Sequence, residues 1–309
     1  MRSLKTRFLP FVLVLTLLVL IIVPVSAEPR MDTLGGGTDG SNPLRMDVYN
    51  SGNLALFFWQ RISTSPDTYG YMRQYFGETA WGTNLHLTDG EDTYGFYTPY
   101  YSYVEGFWDS PDYRVAFGEG EQTVDGNRVI TTWTLLDGAL QFRQTITYIP
   151  GSSYIEKDFE LTNLSDRTFS DIRTIHGGDT YFGGADSATS YFNAANRMVY
   201  IRNADMTTFG LMGYSGSPTT PADHYFVGYY WDGYKYAVEG ALNDYTEPTF
   251  RDAGYQLQWN LVSLAPAESF SVISYERITG ANVLQILAPA EQQVDAGTRG
   301  DRTVGGRTR

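Results

Sequence analysis

The chain contains no cysteine. That excludes disulfides, thiolate chemistry and Cys-type metal sites, and in an exported chain it favours a prokaryotic protein over an animal ectodomain. Only three of the 309 residues are histidine, so a multi-histidine metal centre has few ligands to draw on. Basic residues are also scarce, with 22 Lys and Arg against 35 Asp and Glu and a formal charge of −13. A surface of that sign repels nucleic acid and anionic lipid, whereas neutral glycans and divalent cations suit it. No apolar run beyond the N-terminal region is long enough to cross a membrane as a helix. Nucleophile-elbow, phosphate-loop, HExxH and dinucleotide motifs are missing as well.

What is present begins at the N-terminus. Arg2, Lys5 and Arg7 precede an apolar run from Phe11 to Val23 that only Thr16 interrupts, and Val25, Ser26 and Ala27 supply small residues for cleavage. Residues 1–27 therefore read as a signal peptide, the competing reading being an uncleaved anchor from Phe8 to Val25. The expected location is secreted, extracellular or at the cell surface, with no membrane contact after cleavage. Removing the three basic residues of this segment from the 22 leaves 19 against 35 acids, a charge of −16. The oligomeric state is left open.

Tyrosine is over-represented at 24 residues, with 17 Phe and 6 Trp, and 32 Gly and 13 Pro provide turns. Aromatic and β-branched residues favour pleated strands, so the composition points to an all-β fold. Turn signals at Asp125-Gly126, Asp137-Gly138, Pro150-Gly151 and Asn163 to Asp166 fall about a dozen residues apart. Between them Leu140, Phe142, Ile146 and Tyr148 alternate with Gln141, Arg143, Thr145 and Thr147. Ile155, Phe159 and Leu161 continue the pattern opposite Glu156, Asp158 and Glu160. Period two with short turns predicts an antiparallel meander, closed in a chain this long as a large antiparallel β-sandwich.

Further strands are expected at Leu54–Gln60, Thr83–Leu87, Met198–Arg202, Thr208–Tyr214, Tyr225–Tyr230, Tyr234–Glu239, Tyr255–Leu264 and Ser269–Ile278, with no helix longer than a turn or two. Residues 28–45 read as a flexible lead-in and 46–280 as the sandwich. Residues 281–297 read as a linker or the start of a truncated Ig-like domain, and 298–309 as a disordered tail.

Chemistry-bearing residues concentrate in two segments. One runs from Arg173 through His176 and Asp179 to Tyr181, Phe182 and Asp186, with paired glycines on both sides of Asp179. A His, carboxylates, an Arg and a Tyr at a strand end can serve acid–base chemistry or sugar binding. The competing reading is a glycine-rich loop in which Asp179 caps amides and His176 bonds within the core. The other segment is Asp223-His224-Tyr225-Phe226, and His176 with His224 would form an acid–base pair if they met. His86, set between Leu85 and Leu87, reads as a surface or packing residue.

No cofactor is expected, with calcium as the one cation the acidic loops would take, for example at Asp179 and Asp186. Two aromatic clusters suit carbohydrate. The first includes Tyr97, Tyr100, Tyr101, Tyr103 and Trp108, to which Tyr181 is added as a ligand-binding candidate. The second runs from Tyr225 to Tyr236 and reads as core and cross-strand pairs.

Several stretches together resemble the galactose-mutarotase-like supersandwich over roughly residues 45–280. They are WGTNLHLTDG at Trp81–Gly90, the TYIPG turn at Thr147–Gly151, FELTN at Phe159–Asn163, and His176 with Tyr181 and Phe182. The resemblance implies a large antiparallel sandwich of the kind found in carbohydrate-active proteins. Asp223-His224-Tyr225-Phe226 is similar to the mutarotase His followed by an aromatic pair, and the matching general-base glutamate would be Glu268 or Glu276. The reading that follows is a secreted or cell-surface module of a prokaryotic surface protein, structural or binding carbohydrate or another cell-envelope component. The alternative is an epimerase- or lyase-like enzyme using His176, Asp179 and His224 with Arg173.

Overall fold

The computed structural model describes residues 30–77, 80–98, 114–203 and 210–279. The signal segment, the 281–297 linker and the tail lie outside them. An N-terminal antiparallel sheet contains β1 (Met31–Gly35), β2 (Leu44–Tyr49), β3 (Leu54–Thr64) and β4 (Asp67–Arg73), in that order. The expectation of a flexible lead-in is thereby corrected at Met31–Gly35 and at Leu44 and Arg45, which are strand. Leu34 and Leu44 are buried, and β1 pairs with β2 from Met31 opposite Tyr49 to Gly35 opposite Arg45. Two core leucines hold a segment that its Gly-rich composition alone would leave loose.

Next come β5 (Trp81–Asp89), β6 (Asp92–Tyr97), β7 (Arg114–Ala116), β8 (Glu121–Asp125), β9 (Arg128–Leu135), β10 (Leu140–Thr147) and β11 (Tyr154–Asn163). They are followed by β12 (Phe169–Asp179), β13 (Ser187–Asn193), β14 (Met198–Arg202), β15 (Leu211–Gly216) and β16 (His224–Tyr229). A helix, α1 (Tyr230–Glu239), then precedes β17 (Tyr245–Thr246), β18 (Arg251–Leu264) and β19 (Ser269–Thr279).

These strands form one continuous sheet that folds into two facing layers. The first layer runs β7-β6-β5-β12-β18, with β16 also paired to β18; the second runs β13-β14-β15-β19-β11-β10-β9-β8. The layers join where Ser187 and Ala188 of β13 pair with Asp252 and Arg251 of β18. The meander is as expected, since Gly126, Asp137, Gly138 and Gly151 adopt the positive φ that their turns require. Phe142, Phe159, Trp133 and Ile146 of the second layer meet Trp81, Leu85, Leu257 and Trp259 of the first in one core.

One predicted strand is a helix. Tyr234–Glu239 belongs to α1, which ends at Gly240 with φ 77° and ψ 18° in the left-handed region. Tyr230, Tyr234 and Ala237 recur at helical spacing, and Gly233 sits where a Cβ would meet the Phe226 ring at 2.8 Å. A run of tyrosines carries high strand propensity and hides that period; packing against β18 and β16 overrides it.

α1 covers the outer face of the first layer. There Ile175, Phe226, Ala237 and Leu242 form a second small core, and His86 donates from Nε2 to the carbonyl of Ala237 at 3.0 Å. Burial, then the charge of Arg114, pushes the His86 pKa down to about 4. A depressed folded-state pKa gives stability that is full above the unfolded value of ~6.5 and lost as pH falls toward 4. Between pH 7 and pH 5 this one group is expected to remove about 2 kcal/mol. Urea midpoints at the two pH values should therefore differ less in His86→Gln than in the wild type; parallel losses would discard this account.

Candidate functional site

Strand β12 lies between β5 and β18, and its alternation decides which way each side chain points. His176 sits opposite Thr83 and Leu257 and faces the core, where it is fully buried. Its Nε2 accepts from the Trp81 indole at 3.1 Å and from Lys157 Nζ at 3.2 Å, and its Nδ1 lies 2.9 Å from Thr83 Oγ1. Two donors on Nε2 fix the proton on Nδ1, which donates to Thr83. Burial, then the Lys157 charge, holds the imidazole pKa well below its usual value, so the ring is neutral.

Lys157 crosses from β11 in the opposite layer and pairs with Glu276 of β19 at 2.5 Å, both side chains being completely inaccessible to solvent. Tyr75 donates to Glu276 Oε2, and Tyr255 donates to Oε1 at 2.5 Å. Lys157 also donates to the Tyr75 hydroxyl at 3.1 Å and lies 4.9 Å from the centre of the Tyr214 ring. Tyr75 stacks on Trp81 at 3.9 Å with the rings nearly parallel, closing the cluster on one side. Burial lowers the Lys157 pKa against the pull of Glu276, and it raises Tyr75 and Tyr255, helped by the carboxylate charge.

The predicted trio does not converge. Asp179 is three residues from His176 and opposite Gly254, so it leaves the other face of the sheet. His224 pairs with Gln258, the pleat neighbour of Leu257, so its imidazole also leaves the face opposite to that of His176. It is half-exposed and bonds Asp244 Oδ2 at 2.9 Å. Asp179 and His224 share a face but stand about 13 Å apart along β18, from four residues at the strand rise. Arg173 turns to the α1 side, bonding the Gly240 carbonyl at 2.9 Å and pairing with Asp171. An acid–base centre built on His176, Asp179 and His224 with Arg173 is therefore corrected: alternation turns His176 away from the other three, and Asp179 and His224 stand apart along β18.

Of the ligand-binding candidates, Tyr97 lies beneath the Arg114 guanidinium at 4.6 Å, and Tyr181 meets Phe76 edge-on at 6.0 Å. Tyr100, Tyr101, Tyr103 and Trp108 fall outside the described residues. Of the two glutamates implied by the mutarotase resemblance, Glu276 reaches the His176 cluster, while Glu268 accepts from the Ala265 amide in a turn.

A second polar cluster lies at the end of β12. Carboxylate oxygens of Asp179, Asp186 and Asp252 all fall within 4.8 Å of one another. Asp179 is buried, Asp252 half-buried and Asp186 exposed, so the group runs from the interior to the surface. Burial and the neighbouring carboxylates push Asp179 well up and Asp252 to about 7. Around it Tyr229 and Tyr230, at the β16–α1 junction, pack beside residues 251–254: the Arg251 guanidinium covers the Tyr229 ring at 3.9 Å, and Gly254 abuts Tyr230. Trp231 and Tyr234 extend the aromatic group, and Tyr234 donates to the Ala80 carbonyl at 3.0 Å.

Sequence reasoning missed Lys157, Tyr75, Tyr255 and Asp252. Lys157 alone carried a signal: it stands at an inward position between Ile155 and Phe159, where alternation calls for an apolar residue.

No protein-family model matches the chain, and no curated protein matches it. Among solved structures, a provisionally named aldose 1-epimerase of Escherichia coli K12 superposes with a TM-score of 0.51 at 11% identity, covering 82% of this chain and 99% of that one. A galactose mutarotase/aldose epimerase homologue of C. elegans gives 0.47 at 8% identity, over 82% and 100% of the two chains. A bacterial glucoamylase complexed with acarbose gives 0.49 at 9% identity, and the match spans 88% of this chain but 36% of the enzyme. The fold is thus the galactose-mutarotase-like sandwich.

Proposed function

We propose that the protein is a secreted β-sandwich module that binds carbohydrate, and that it does so at the rim formed by Asp186, Tyr181, Tyr229, Tyr230 and Trp231. The observation that carries this reading is the contrast between the two polar clusters. Lys157, Glu276 and His176 are sealed inside the sandwich, the first two ion-paired with their oxygens and nitrogen already bonded. The cluster at the end of β12 opens to solvent through Asp186 and is flanked by partly exposed aromatic rings. Carboxylates and tyrosine hydroxyls bond sugar hydroxyls, and aromatic faces stack on sugar C–H surfaces. The fold, the acidic surface and the signal-like N-terminus agree with this role.

The test is a proton NMR titration of the protein with simple sugars and polysaccharides. Broadening of ligand signals without chemical change is expected, and Trp231→Ala should weaken binding about tenfold, or about 1.4 kcal/mol. A second reading draws on Glu276 and His176 meeting through Lys157, the two residue types that the mutarotase resemblance implies. Accelerated anomeric exchange that disappears in a folded Glu276→Gln variant would favour it over the binding module. Unchanged spectra with every sugar would remove both.

A further inference from the structure

We propose that Asp179, Asp186 and Asp252 together bind one calcium ion at the end of β12. The three carboxylates come from three places in the chain, the end of β12, the connection to β13 and the start of β18. Nothing in the strand pattern alone requires them to meet. Among the described residues no Lys or Arg forms an ion pair with any of them, and the adjacent Arg251 directs its guanidinium to Glu247 at 2.7 Å.

The independent sign of a ligand is in the hydrogen bonding. Asp179 is 2% exposed, and its Oδ1 is buried without a hydrogen-bond partner, as is Oδ1 of Asp252. A buried carboxylate oxygen left unsatisfied is strongly unfavourable, and folded proteins keep one where something else completes it. Here both open oxygens belong to the same group, and the exposed Asp186 gives an ion its path from solvent.

The donor set chooses the ion. Oxygens alone select hard cations over zinc or copper, which favour His and Cys. Calcium bonds at ~2.3–2.6 Å span oxygens up to about 5 Å apart, whereas magnesium at ~2.0–2.1 Å draws them within about 4 Å. Oxygens lying within 4.8 Å of one another fall inside the span that the longer, more flexible calcium bonds allow. Water or sugar hydroxyls would complete the shell.

This inference goes beyond the carbohydrate reading and does not rest on it, because the ion is measured without sugar and the sugar titration can be run in chelator. The protein is stripped with EDTA and titrated with CaCl2 by calorimetry, and with TbCl3 by luminescence excited through its tryptophans. Expected results are one ion per chain, a rise in Tm on adding calcium, and binding at least tenfold weaker in each of Asp186→Asn, Asp252→Asn and Asp179→Asn. Asp186 is exposed, so its variant retains the fold, checked by far-UV circular dichroism. Absence of calcium binding in the wild type, equal affinity in the variants, or magnesium binding as tight as calcium would each overturn the assignment.

Discussion

Lys157→Met is expected to destabilise the protein by about 3–5 kcal/mol, a large part of the total stability of an ordinary domain. The pair it breaks has no access to water on either side. Removing the ammonium leaves the Glu276 carboxylate in the core with two tyrosine hydroxyls but no cation, and also removes one donor to His176 Nε2. The attraction within a buried pair roughly offsets the desolvation of its two members, so the loss appears only when one member goes.

That logic supplies its own control. The double variant Lys157→Met with Glu276→Gln leaves no net charge; the amide oxygen accepts from one tyrosine and the amide NH2 donates to the hydroxyl of the other. It should recover at least half of the loss, read from urea denaturation at pH 7. A single-variant effect below about 1 kcal/mol would mean that solvent reaches the pair, and the sealed-core description would be withdrawn.

Gly178→Ala is the second large effect, and its cause is steric. The backbone at Gly178 is ordinary, but a Cβ there would lie 2.0 Å from the Ala80 carbonyl oxygen and 2.9 Å from Trp81 Cα. Both are main-chain atoms of the neighbouring strand segment, which rotamer changes cannot move. The strand must shift, taking with it the Asp179 amide bond to the Ala80 carbonyl. A loss of about 3 kcal/mol or more is expected, at or beyond the upper end of overpacking effects.

Gly126→Ala makes the comparison. Its φ is 58°, yet nothing lies within 4 Å of a Cβ there, so it should lose only the 1–2 kcal/mol of a left-handed alanine. If the Gly126 variant proved the less stable of the two, conformational strain rather than strand approach would govern this sheet.

Much of the sandwich was legible because its signals are local. The turns near Gly126, Gly138 and Gly151 and the alternation from Leu140 to Leu161 each depend on residues within one hairpin. Met198–Arg202 was read with its correct ends for the same reason. α1 was not, since the choice between helix and strand for a tyrosine-rich run was made by Phe226, Gly233 and β18.

The site was harder to read. Whether His176 and His224 meet depends on which residues of β18 they face, and a difference of one position puts them on opposite faces. Asp252 has no local signal, and its partners stand 66 and 73 positions earlier in the sequence. The inward position of Lys157 was visible as a broken alternation, but its partner Glu276 was not.

The place of β19 bears on how the chain comes to be folded at all. It is the last strand described, yet it lies inside its layer, paired on one side with β11 and on the other with β15. While the chain is being synthesised, β11 has no neighbour on that side, and Lys157 has no counter-ion until residue 276 emerges. Pairings this distant form slowly, because the intervening chain must be closed into a loop first. The second layer therefore stays incomplete until synthesis has passed Thr279, so its folding is completed late, by the last strand to be made.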